Sequence, residues 1–262
     1  RDLHSFPTRR SSDLAGLTAV GGFRFTFWTM AGVLCLLLPV AFRAQPDVAA
    51  QDQERLGLQG LLRIRRLIGA FFMVAAYFVF IGAFEAVWVL EMDTRGASRA
   101  VLGVALTVGA LPIALLSPLG GILAQRYGAR RWAIGSLGII TLMVIFWGIV
   151  PGVVGLIALT VATSVVEGFG FPSTPMLVAA AVPEDRQATA QGLMGAVEVA
   201  MGAVAAIAIA IVYDAHGDAV AWRTTAVTMA ILLSIGAILT RPEDRKPVRP
   251  GIPTRTIRRP FR

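Results

Sequence analysis

Three carboxylates stand where water is scarce. Glu85, Glu167 and Glu198 each interrupt a stretch of otherwise apolar and small residues, and no Lys or His shares those stretches. A charge at the centre of a bilayer costs about 2.5–3.5 kcal/mol on insertion scales, so an acid kept there calls for a reason. If its exposure alternates, such a carboxyl takes a proton from one side and releases it to the other; it can also attract a cationic solute. The plainer readings are a neutral acid hydrogen-bonded to a neighbouring helix for Glu198 and a solvated mouth residue for Glu85. At about 1.5 Å per residue, Glu198 falls roughly 15 Å from the end of its stretch, near the midplane. The run EGFGFPSTP at 167–175 sets Pro172 and Pro175 behind Gly168 and Gly170, which predicts an interrupted helix. Interrupted helices often line solute sites, and a packing kink is the alternative. Phe80, Phe84, Trp88 and Phe169 can wall a cavity, although aromatic residues in such stretches more often face lipid or fill a packed core.

Other chemistry is missing. Cys35 is the one cysteine and lies in an apolar run, and His216 falls in a connection. Neither supplies a nucleophile pair, a disulfide or a metal set. No G-x-x-x-x-G-K-[ST] loop occurs, so there is no ATP motor of that type. An enzyme is not expected, nor is any cofactor.

The elements that carry the acids follow from composition. Of 262 residues, 56% are apolar types and only 15% are charged, with 27 glycines besides. Soluble domains carry about a quarter charged residues, and a water-soluble globule of this length cannot hide so much apolar surface. A crossing needs about 20 apolar residues. Runs at 23–43, 67–90, 100–124, 132–150, 153–180, 188–213 and 220–240 predict seven membrane helices, with Pro151-Gly152 breaking the longest uncharged run. Gly192, Gly195, Gly202 and the alanines around them suit close helix contact in the sixth.

The net charge of +8 does not point to nucleic acid, because the arginines gather between the apolar runs. Connections on one side of the predicted membrane hold 17 Lys and Arg and those on the other hold four, which places the C-terminus in the cytoplasm. The stretch 44–66 reads as a charged cytoplasmic linker. The basic, proline-rich tail 241–262 reads as an arm beside anionic lipid. Residues 1–14, RDLHSFPTRRSSDL, are polar and aperiodic. They resemble one translated frame of a sequencing adapter and are expected to be a non-native leader on a fragment.

Between the third and fourth runs lies GILAQRYGARR, residues 121–131. Gly128 permits a tight turn, and the arginines beside it can meet helix-end carbonyls. The spacing resembles the G-x-x-x-D-R-x-G-R-R/K loop of the major facilitator superfamily. Gly121, Arg126, Gly128, Arg130 and Arg131 match, while Gln125 stands where that family usually has an acid, so the charged latch is not carried over. GFRFTFWTMAGV at 22–33 looks like the entry to the family's sixth helix. VPEDRQATAQG at 182–192 resembles the loop before its eleventh, with Pro183, Arg186 and Gly192 in place.

The resemblance covers about residues 15–240 and implies an all-α polytopic membrane protein. It consists of the C-terminal six-helix bundle (67–240) preceded by the last helix of the N-terminal half (15–43). The acid-bearing runs then correspond to family helices seven, ten and eleven, which face the central pathway, and the peripheral helices six, nine and twelve carry none. The implied function is secondary active transport of a small organic solute across a bacterial plasma (inner) membrane, as a proton-coupled efflux antiporter of drug-exporter type. Sugar or metabolite carriage is the alternative. A seven-helix receptor fits less well, and no span offers a Lys for a retinal Schiff base. The expected partners are the solute, protons, the lipid bilayer and the missing N-terminal half, with no nucleic acid.

Overall fold

A computed structural model describes residues 58–241 together with Trp28, Gly32 and Cys35, three helical positions upstream. The expected leader, the first predicted span apart from those positions, most of the linker and the tail after Arg241 lie outside the described residues. Within them, six helices are long and apolar enough to cross a membrane: α1 Arg65–Thr94, α2 Arg99–Tyr127, α3 Ala129–Trp147, α4 Gly152–Ala180, α5 Glu184–His216 and α6 Asp218–Leu239. Each lies within a few residues of one predicted run.

Local chemistry sets the ends. The C-terminus of α1 closes as a Schellman motif, with Gly96 N–H on Asp93 O at 2.9 Å and Ala97 N–H on Met92 O at 3.0 Å. Ser98 caps α2 by accepting Val101 N–H at 3.3 Å. The turn from α2 to α3 is the single residue Gly128 at φ +91°, a conformation that side-chain-bearing residues rarely adopt. Arg130, two residues on, donates to Ala237 O at 2.8 Å and Thr240 Oγ1 at 3.1 Å, so the arginine predicted to meet a helix end does so at the C-terminus of α6.

Across its most apolar stretch α1 is 72% buried, whereas α2 is 17% and α5 11% buried, which makes α1 the central helix. It packs chiefly against α5 and α6; α2 lies along α4, and α3 joins α6 to α4. The core holds Trp88, Trp147 and Trp222 with Met73 and Met229, all fully buried.

Two helices are irregular. In α1 the segment Phe84–Trp88 is a single π-helical turn, and it contains Glu85. In α4 the ladder breaks at Phe171–Pro172, where the prolines predicted an interruption. Side chains occupy carbonyls around the break: Thr174 Oγ1 donates to Phe171 O at 3.2 Å, and Trp132 Nε1 of α3 donates to Phe169 O at 2.7 Å. Pro175 lacks the N–H that would otherwise reach Phe171 O, so the Thr174 hydroxyl stands in for it.

Candidate functional site

Residues Thr160, Thr163, Ser164 and Glu167 follow a helical period, share one face of α4 and are all buried. A donor from another helix meets three of the four. Trp88 Nε1 reaches Thr160 Oγ1 at 3.1 Å, Trp147 Nε1 reaches Thr163 Oγ1 at 3.4 Å, and the Tyr77 hydroxyl reaches Glu167 Oε1 at 3.1 Å. The two threonine hydroxyls donate in turn to Leu156 O and Leu159 O, each at 2.8 Å. Among the described residues, no buried side-chain N or O lacks a hydrogen-bond partner.

This face borders a cavity of about 200 Å³ whose other walls include Phe80 and Phe84 of α1, Leu106 and Ile113 of α2 and Trp147 of α3. The rings interlock: Trp147 meets Phe80 and Phe84 edge-on at 5.6 and 5.7 Å, and Phe84 lies 5.1 Å from Trp88. The result is an aromatic chamber with one carboxyl in its wall.

Of the predicted site residues, Glu167 lines the chamber. Glu198 is half-buried on α5 and does not line the chamber. Glu85 does not line the chamber; it occupies the one exposed position between Leu67 and Val89, on the π-helical turn. Pro172 and Pro175 also lie off the chamber, about one and two turns past Glu167. In the signature loop Gln125, Arg126 and Arg131 are exposed, Arg130 is engaged as above, and Gly121 faces Pro172. Of the aromatics, Phe80 and Phe84 are chamber walls, Trp88 is fully buried in the core, and Phe169 contributes its backbone carbonyl to Trp132.

A fourth acid escaped the sequence reading. The run was expected to end at residue 90, but α1 continues to Thr94, which brings Glu91 inside. Glu91 is 1% exposed. It accepts Trp222 Nε1–H at 2.7 Å and pairs with Arg95, which also reaches Asp218 at 3.5 Å. The Glu91–Arg95 spacing of four residues was the available signal. Tyr77, Trp147 and Trp222 were missed as well, since aromatic residues in apolar runs look alike until their partners are known.

Comparison with known proteins identifies the family. A family model described as Major Facilitator Superfamily matches residues 66–262. Two curated relatives from Streptococcus pneumoniae, one from a serotype 4 strain and one from strain R6, are each named multi-drug resistance efflux pump PmrA. Each is 30% identical over 160 residues, 59% of this chain and 39% of the relative, so the match spans well under half of either pump. With six apolar helices in the bundle and a family match over most of its length, the chain belongs to the major facilitator superfamily.

Proposed function

We propose that this chain is the C-terminal half of a proton-coupled exporter of lipophilic organic cations. The observation that carries the reading is Glu167: a buried carboxyl in the wall of an aromatic chamber, held by Tyr77 from another helix. A cation with aromatic substituents finds ring faces and a counter-charge together. A proton on Glu167 competes with that cation, which makes uptake of one and release of the other exclusive events. Glu198 and the exposed Glu85 are further stations where protons enter or leave. The similarity to pumps named for multidrug efflux supports this class. Sugars fit less well, because the hydroxyls of Thr160 and Thr163 already donate to the backbone and accept from tryptophans.

The partner half is assigned to a stripe of small residues on α5. Gly192, Ala196, Ala200 and Ala203 are exposed there, alongside exposed Val199, Val204, Ile207 and Ile211 on the same helix. The exposed residues of α3 include Ile139, Leu142, Ile145 and Phe146. Small residues suit close helix contact and bulky ones suit lipid. The arginine-rich connections put the α2–α3 loop in the cytoplasm.

The test is tetraphenylphosphonium movement in membrane vesicles that carry this half with its partner half. Wild type is expected to drive movement with a pH gradient, Glu167→Gln to lose the pH dependence while expression survives, and Glu198→Gln to do the same. Unaltered proton coupling in Glu167→Gln removes that residue from the mechanism.

A further inference from the structure

Outside the chamber, the densest polar structure among the described residues joins the end of α1, the α3–α4 turn and the start of α6. Glu91 and Arg95 form an ion pair one helical turn apart. Arg95 also donates to Val150 O at 2.5 Å and Gly152 O at 3.3 Å, and it reaches Asp218 Oδ2 at 3.5 Å. Asp218 meanwhile accepts Ala219 N–H at 2.7 Å at the N-terminus of α6.

Both halves of this pair lead to one ring. On the carboxylate side, Glu91 Oε2 holds Trp222 Nε1 at 2.7 Å, and the Trp222 ring lies 4.9 Å from that of Trp147. On the guanidinium side, Arg95 grips Val150 O and Gly152 O, in the turn that begins directly after Trp147, the last residue of α3. Trp147 is a wall of the chamber, stands edge-on to Phe80 and Phe84, and donates to Thr163. An indole has two side-chain torsions to fix. Here the ring is packed from one side by Trp222, and the turn that follows it is held from the other by Arg95 at Val150 O and Gly152 O.

We infer that the Glu91–Arg95 pair is the positioning element for the Trp147 wall, and so sets the shape and selectivity of the chamber from outside it. Neither residue lines the cavity. The effect on solute binding rests on the proposed function; the effect on the Trp147 ring does not. A side chain satisfied on several atoms at once cannot shift one partner without disturbing the others, so a change at the pair reaches the chamber as a rotation or displacement of the ring.

The experiment uses the full chain in detergent micelles with fluorinated tryptophan, its five indole resonances assigned by single Trp→Phe replacements. Glu91→Ala and Arg95→Ala are expected to shift the fluorine resonances of both Trp222 and Trp147. Glu91→Gln keeps an acceptor for the indole N–H and is expected to return Trp147 toward its wild-type position. Arg95→Lys, which keeps a charge for Glu91 but cannot span Val150 O, Gly152 O and Asp218 at once, is expected to move Trp147 too, and it decides the matter if the alanine variants do not fold. A Trp147 resonance that stays in place in every folded variant overturns the inference. Binding of tetraphenylphosphonium is read on the same samples, with about tenfold weaker binding expected in Glu91→Ala, near 1.4 kcal/mol. If wild type binds no tetraphenylphosphonium but Trp147 still moves, the exporter reading fails and the positioning role stands. If Glu91→Ala binds as wild type does and Trp147 has not moved, the positioning role fails alone.

Discussion

The Tyr77 hydroxyl is the smallest part on which the site depends. It is the donor from another helix that meets Glu167, and its ring lies 5.8 Å from Phe171 at the break in α4. Tyr77→Phe removes that donor while keeping the ring, so it is expected to destabilise the chain by about 1–3 kcal/mol, the range for leaving a buried polar group short of a partner. The check is the loss of helical circular dichroism on heating, compared with wild type. Glu167→Gln keeps an acceptor for Tyr77 and is expected to cost less than Tyr77→Phe; the reverse order would show that the hydrogen bond does not hold the carboxyl. Glu167 stood out in the sequence as a lone charge in a long apolar run, while its burial and its Tyr77 partner are seen only in the structure. Glu91 was not legible, since Asp93 and Arg95 beside it make the stretch read as a solvated boundary. The four-residue spacing to Arg95 signals a pair, but Trp222, 131 residues away, is what marks that carboxylate as buried.

Single close contacts decide how the helices sit. A Cβ at Gly148 would fall 2.5 Å from Ala219 Cα, so the turn after α3 lies against the first residues of α6 with no room for a methyl group. Gly148→Ala is expected to cost about 1–3 kcal/mol by overpacking and, because Trp147 is the preceding residue, to disturb the chamber wall. Thermal unfolding together with the Trp147 fluorine signal measures both effects. At the break in α4, Thr174→Val strips Phe171 O of its hydroxyl donor and is expected to lower stability by about 1 kcal/mol, with Thr174→Ser restoring it. Two prolines after two glycines made the position of this break readable. How it is completed was not, because the indole serving Phe169 O comes from α3, 37 residues earlier. Helix ends obey neighbours in the chain, whereas repairs obey neighbours in space. The π-helical turn at Phe84–Trp88 left no readable mark, as nothing in FEAVW departs from ordinary helix chemistry.

The bundle as a whole has two kinds of surface, and they predict different tolerances. On the proposed function, Ala196→Leu and Ala200→Leu on α5 are expected to leave the six helices folded but to abolish transport by wedging the proposed halves apart. Leu142→Ala on the outer face of α3, 62% exposed, is expected to leave both folding and transport unchanged. Flux in vesicles beside circular dichroism separates these outcomes. Sidedness is checked with Cys35 replaced: a thiol reagent that cannot cross membranes is expected to reach a cysteine at His216 from outside intact cells, and one at Arg131 only after lysis.

The central place of α1 also bears on how the molecule is made. It precedes the other five spans, yet the helices it packs against most, α5 and α6, follow it last. Until they leave the ribosome, the faces of α1 that α5 and α6 cover have no bundle to join, and a nascent chain stopped after α4 holds its most apolar segment without its main neighbours. Assembly therefore waits on contacts distant in sequence, which slow folding, and lipid covers the apolar surface of α1 during that interval.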